Sequence, residues 1–301
     1  MITEYLAWND CNNNCKFCWQ RLKAKSNTKQ RLEAIKLIKE DMCNLNIPYE
    51  QNQILFVGGE LFFEQDNDTK EALYDLFEYL FDLMYNEKVS RSYLNTNLLY
   101  NPEYLLFPVL DMALSKNLLD RLNFTTSGDE TDRFVGIKGE EKRALFYENL
   151  KRLRNLYPEM NIMVNLILTK QFCDSVLNGK FDINEYEKKH GVIMNVIPYI
   201  KLKNDERTPS REEVFSTLIR LNSQQPGYLK RVCDNHTTHP IRKLLHYENG
   251  KLVNVSCDLN PCGHAMNFTR CYNNSESCFA CDIKKLYTLM STDLHEVYYK
   301  P

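Results

Sequence analysis

The feature that most constrains this chain is a regular alternation of short apolar runs with longer amphipathic stretches. Apolar runs of a few residues read as strands, and apolar residues recurring every three to four positions read as helices. Runs at 3–8, 54–57, 92–97, 121–126, 161–169 and 192–200 predict six strands. Helical spacing fills 29–45, 68–86, 102–118, 139–157 and 183–191 between them, and 208–221 opens on a Ser210…Glu213 capping box. Six strand–helix units in series predict an α/β fold, a parallel sheet with helices outside it. Right-handed crossovers curl such a series toward a barrel. Ligands in this architecture sit at the C-terminal ends of the strands.

The pattern changes near residue 224. Residues 223–240 read as loop, and 241–257 as a hairpin turning at Asn249-Gly250. The expected organisation is a partial (β/α)6 TIM-like barrel over 1–223, followed by a small Cys-rich hairpin and helix subdomain over 224–301.

The 301 residues carry 38 basic and 40 acidic side chains, a formal net charge of −2, so no nucleic-acid partner is expected. The N-terminus MITEYLAWND lacks the basic and apolar regions of a signal peptide. Nor is there an apolar run long enough to span a bilayer. A cytoplasmic protein is expected, and its 11 cysteines then read as metal-binding or catalytic rather than as a disulfide framework. They are unevenly spread: three lie within 11–18 and six within 233–281. Cys43 and Cys173 stand apart and read as small buried hydrophobes.

The first cluster is Cys11-Asn-Asn-Asn-Cys15-Lys-Phe17-Cys18, a C-x3-C-x2-C spacing at the end of the first strand. A structural zinc or a plain electron-transfer cluster usually takes four protein ligands. Only three are local here, and an open metal position is one where substrate can bind. The asparagines suit an irregular loop whose N–H groups can hydrogen-bond cluster sulfurs and tune potential.

CNNNCKFC resembles the C-x3-C-x-aromatic-C signature of the radical S-adenosylmethionine (SAM) superfamily. The resemblance implies a [4Fe-4S] cluster on Cys11, Cys15 and Cys18 whose open iron chelates SAM. It implies reductive cleavage of SAM to a 5′-deoxyadenosyl radical that takes a hydrogen atom from substrate. Phe17 fills the aromatic slot. Gly58-Gly59-Glu60 resembles the family's GGE motif after strand two, which would grip the SAM ammonium, although Leu61 stands where proline is frequent. Asn95-Thr96-Asn97 resembles a TNG-like end of strand three, which implies Asn97 as a SAM contact, with Leu98 in the place of glycine. Ser127 resembles the strand-four residue that binds the SAM carboxylate, with Asp129 close by. Asn165, a polar residue in an apolar strand, and the backbone around Ile197 would complete the contacts to ribose and adenine; Asn195 sits in its strand in the same manner.

In the tail, Cys233, Gly250 and Cys257 followed by Cys278-x2-Cys281 resemble the twitch form of the SPASM subdomains of some radical SAM enzymes. That implies an auxiliary [4Fe-4S] cluster on Cys233, Cys257, Cys278 and Cys281. A zinc site on Cys257, Cys262, Cys278 and Cys281 is the alternative, and Cys262 and Cys271 are candidate hydrogen-atom donors. The expected substrate is a peptide or protein, modified by crosslinking, epimerisation or oxidation, with flavodoxin or ferredoxin as electron donor. The alternatives are a dehydrogenase or rearrangement enzyme for a small metabolite or nucleoside, an activase of a glycyl-radical partner, and a non-catalytic iron–sulfur or zinc protein.

Overall fold

The computed structural model describes residues 2–15, 25–128, 133–134, 138–198, 206–237 and 242–254. Strands β1 (Ile2–Leu6), β2 (Gln53–Val57), β3 (Arg91–Thr96), β4 (Leu122–Ser127), β5 (Asn161–Leu168) and β6 (Ile193–Pro198) alternate with helices α1 (Thr28–Cys43), α2 (Asn67–Tyr85), α3 (Leu106–Ser115), α4 (Gly139–Leu156), α5 (Lys170–Leu177) and α6 (Ile183–His190). Helices α7 (Arg211–Gln224) and α8 (Tyr228–Thr237) then lead to the hairpin β7 (Arg242–Glu248) and β8 (Lys251–Asn254).

All eight strands form one sheet in the order β6-β5-β4-β3-β2-β1-β7-β8. Neighbours from β6 to β7 run parallel, and β8 returns antiparallel to β7. The α/β class and the series of parallel crossovers follow the sequence pattern. Among the described residues the sheet is open, with edges at β6 and β8. The hairpin after 224 extends it by pairing Ile2–Leu6 with Arg242–His246.

The two faces of the sheet differ. Ile54, Phe56, Leu94, Phe124, Ile162, Val164 and Met194 are buried in the core with α-helical residues such as Leu76, Phe77, Phe81 and Phe146. Their alternates Leu55, Val57, Tyr93, Asn95, Asn123, Thr125, Ser127 and Asn165 are only half-buried. A parallel sheet covered on both faces reads as continuous apolar runs. Here a period of two in burial survives because one face is only partly covered, and it carries mostly amides and hydroxyls.

Caps fix several helix starts. Asn27 and Gln30 form a capping box on α1, and Ser210 and Glu213 form the expected one on α7. Helix α6 ends on Gly191 at φ 62°, the left-handed conformation that suits a C-terminal glycine. The hairpin turns at Asn249 and Gly250, both at positive φ as a two-residue turn requires.

Four expectations need correction. The stretch 102–118 is not one helix: a short 3-10 turn at Pro102–Tyr104 breaks at Leu105 before α3 begins. Pro108 has no N–H to give the Tyr104 carbonyl, so a helix cannot run through. The segment 223–240, read as loop, holds α8, whose Leu229 and Val232 are buried. Thr169, expected in strand five, instead caps the unforeseen α5. Cys173 is buried as expected, but Cys43 ends α1 exposed, its Sγ 2.6 Å from the Tyr79 hydroxyl.

Candidate functional site at the C-terminal rim of the sheet

The loop leaving β1 is held by the backbone of β2's exit. Gly59 N–H donates to the Trp8 carbonyl at 2.9 Å and Glu60 N–H to the Asp10 carbonyl at 2.7 Å. The approach is so close that a Cβ on Gly59 would lie 2.0 Å from the Asp10 oxygen. Only glycine fits there. Asp10, 2% exposed, pins the far side of the loop: its carboxylate accepts the Ser26 N–H at 3.0 and 3.1 Å and pairs with Arg31 at 3.4 Å. Arg31 also donates to the Ser26 carbonyl at 3.1 Å.

Cys11 and Cys15 project half-buried from this loop. Cys11 Sγ accepts the Asn13 N–H and the Asn97 side-chain amide, each at 3.4 Å; Cys15 Sγ accepts the Asn13 side-chain amide at 3.2 Å. Both sulfurs therefore face N–H donors, which suits thiolate ligands. Phe17 and Cys18 lie outside the described residues. Among the described residues no group of three metal-ligating side chains comes together.

Glu60 is placed differently from a group reaching outward. Its carboxylate is 1% exposed and turned into the protein. One oxygen accepts the Phe62 N–H at 3.0 Å, the other the Asn97 N–H, and the Thr96 hydroxyl lies 2.9 and 3.0 Å from the two. Burial pushes its pKa up to about 7, against the pull of those donors and of Arg133. What the motif presents to the rim is its backbone.

Asn97 joins β3 to the cysteine loop. Leu98, next to it, holds the left-handed backbone at φ 56° that the missing glycine would have taken. It is fully buried, and Asn149 of α4 fastens the turn by donating to the Leu98 and Tyr100 carbonyls at 3.0 and 2.8 Å.

From Asn97 a line of bonds continues along the rim. The Arg133 guanidinium donates to the Asn97 and Ser127 carbonyls and lies 5.3 Å over the Phe146 ring. Gly128 N–H donates to the Asn165 carbonyl at 3.0 Å, and Asn195 donates its side-chain amide to the Asn165 side-chain oxygen at 2.9 Å. Ser127, Asn165 and Asn195 occupy one register row across β4, β5 and β6. The structure thus brings Cys11, Cys15, Gly59, Asn97, Ser127 and Asn165 onto one continuous rim. Ser127 Oγ is buried there with no hydrogen-bond partner among the described residues. Ile197 is half-buried near the end of β6.

Cys233 lies in α8, and Asp129, Cys257, Cys262, Cys271, Cys278 and Cys281 lie outside the described residues. The residues that sequence reasoning missed are Asp10, Arg31, Arg133, Lys142 and Asn149. Only tertiary contacts mark them, and none belongs to a local pattern.

No family profile matches the sequence, and no curated protein resembles it closely enough to report. Among solved structures the fold is similar to that of SuiB from Streptococcus suis, whose crystal structure was determined bound to S-adenosylmethionine. The TM-score is 0.51 at 13% identity, over 94% of this chain and 71% of that one. At such identity the likeness is one of fold. No helix among the described residues is long and apolar enough to cross a membrane.

Proposed function

We propose that this chain is a radical SAM enzyme that acts on a peptide or protein. The observation that carries the reading is the packing of Gly59 and Glu60 onto Asp10. It ties a three-cysteine loop to the C-terminal end of the neighbouring strand, with Asn97 bonded to Cys11 beside it. Cys11, Cys15 and Cys18 would hold a [4Fe-4S] cluster, which with bound SAM supplies one-electron chemistry at the sulfonium. The N–H donors around Cys11 and Cys15 fit that ligand set. A solved structure of similar fold was determined with SAM bound, which supports SAM as the ligand.

On this reading the backbone of Gly58-Gly59-Glu60 faces the amino acid end of SAM. The unpartnered Ser127 Oγ takes a polar group of the ligand, and Asn165 with Ile197 lines the ribose and adenine end. Glu60 acts through Thr96 and Asn97, whose positions it fixes. Among the described residues no strand pairs with the outer edge of β6, which supports an extended peptide substrate, since a peptide can add to a sheet edge by backbone bonding. The auxiliary cluster on Cys233, Cys257, Cys278 and Cys281, with zinc as its alternative, and a flavodoxin or ferredoxin donor in the cytoplasm remain part of the proposal.

The test is anaerobic reconstitution with iron and sulfide, then dithionite and SAM, with 5′-deoxyadenosine measured by mass spectrometry. Wild type should form it, and the Cys11/Cys15/Cys18→Ala variant should not. Formation no higher in wild type than in the triple variant refutes the reading.

A further inference from the structure

Three side-chain amides surround the two described cysteines, and a second contact fixes the orientation of each. Asn97 Oδ1 accepts the Leu99 N–H at 2.7 Å, which leaves its amide nitrogen to point at Cys11 Sγ and at Asn12 Oδ1, 3.4 and 2.6 Å away. Asn12 spends its own nitrogen on the Leu99 carbonyl at 2.7 Å. Asn13 Oδ1 accepts from Lys142 Nζ at 2.7 Å, which turns its nitrogen onto Cys15 Sγ at 3.2 Å. Lys142 sits in the first turns of α4, 129 residues from Asn13 along the chain.

We infer that Asn97, Asn13 and Lys142 are positioning residues that aim amide N–H donors at the Cys11 and Cys15 thiolates and so raise the reduction potential of the cluster those cysteines hold. The inference rests on the radical SAM reading of the same loop. Its physical basis is general: an N–H donor stabilises negative charge on sulfur, and reduction adds negative charge to a cluster. An asparagine amide can present either its oxygen or its nitrogen, so an aimed donor needs a second contact to settle the choice. Lys142 supplies it for Asn13, because an ammonium has donors only and must meet the oxygen. Leu99 supplies it for Asn97. Lys142 therefore acts on the sulfur through Asn13, and the effect of removing it should vanish once Asn13 is gone.

The experiment is a redox titration of the reconstituted holoprotein, followed by the electron paramagnetic resonance signal that SAM perturbs, which selects the rim cluster from any other. Iron is counted in each variant. Asn97→Ala, Asn13→Ala and Lys142→Ala should keep their iron, since these side chains are on or near the surface. Each should lower the reduced-to-oxidised ratio at a fixed potential three- to tenfold, where tenfold corresponds to about 59 mV for one electron. Lys142→Arg should restore it. Asn13→Asp, which keeps the size but offers the sulfur an oxygen, should lower the ratio further than Asn13→Ala. The Asn13→Ala/Lys142→Ala double variant should match Asn13→Ala alone. Unchanged potentials at full iron content overturn the inference while leaving the radical SAM reading intact. An additive effect in the double variant also overturns it for Lys142, which would then act by charge alone. Absence of iron from wild-type protein overturns the reading of the loop itself.

Discussion

Replacing Glu60 with glutamine probes the centre of the rim. The two carboxylate oxygens each accept a backbone N–H, from Phe62 and from Asn97. Glutamine has the same shape, but its amide nitrogen must stand where one of those oxygens was. Either choice aims N–H at N–H, and a buried donor left without an acceptor costs about 1–3 kcal/mol. Burial acts in the other direction, raising the carboxyl's pKa from an ordinary 4.5 to about 7. Because the folded value lies above the unfolded one, the folded state keeps its proton to higher pH. The stability that this provides is complete below the unfolded pKa and is lost as pH climbs to the folded one. Each tenfold change in proton affinity is worth about 1.4 kcal/mol, so the loss between pH 4.5 and 7 is about 3 kcal/mol. Glutamine does not titrate. Glu60→Gln should therefore cost up to about 2 kcal/mol near pH 5, where wild type has already lost about 1 kcal/mol, and near pH 8 should leave the variant level with wild type or up to about 2 kcal/mol more stable. Urea unfolding followed by circular dichroism, wild type against variant at several pH values from 5 to 8, isolates this one group. A difference that stays flat would refute the argument. One that widens above pH 7 would do so more sharply, by showing that the three donors hold an ionised carboxylate despite its burial.

Other substitutions on the rim have equally definite outcomes. Gly59→Ala puts a methyl carbon 2.0 Å from a backbone oxygen, so β2 and the cysteine loop must part; about 3 kcal/mol of stability and the retained iron should both fall, as measured by urea unfolding and iron analysis. Leu98→Gly relieves a left-handed backbone worth about 1 kcal/mol but empties a fully buried site worth about 2–5 kcal/mol, so the glycine should be the less stable residue here. Arg31→Ala leaves the buried Asp10 carboxylate with the Ser26 amide as its remaining partner among the described residues, and should cost about 3 kcal/mol, part of which Asp10→Asn in the same chain should recover.

Much of this molecule was legible because the period of its apolar residues survives folding. LNFTTS opens with the alternation that its burial shows, while QILFV reads as a continuous apolar run whose burial nonetheless alternates. The Ser210…Glu213 box and the Asn249-Gly250 turn act within a few residues, so their chemistry is visible without a fold. Helices α5 and α8 escaped because each has eight to ten residues, too few for a period to emerge, and Pro226-Gly227 before α8 imitates a loop. The candidate site was legible in its anchors and not in its wiring. Asn97 read as a contact for SAM, yet its side chain is committed to Cys11, Asn12 and Leu99. Glu60 read as a group facing the ligand, yet its carboxylate is turned toward Thr96 and Phe62. Partners 36 to 86 residues away share in those orientations, and no local pattern records them.

The tail hairpin bears on the same rim through β1. All five residues of β1 are buried, because β7 covers the edge that β2 leaves open. Leu245 of β7, 4% exposed, lies opposite Tyr5, and the Tyr247 hydroxyl donates to Glu33 of α1 at 2.7 Å. The strand that launches the cysteine loop is thus braced on one side by residues some 240 positions away. Leu245→Ala should cost about 3 kcal/mol, and the loss should be local rather than spread through the sheet. In hydrogen exchange, amides of Ile2–Leu6 and of the following Trp8–Asp10 segment should open faster, while those of β5 and β6, at the far end of the sheet, should change little. Exchange that rises evenly over all strands would mean the sheet opens as one unit. Exchange that rises in the hairpin alone would mean β1 keeps its place without β7, and the tail would then have no hold on the cysteine loop.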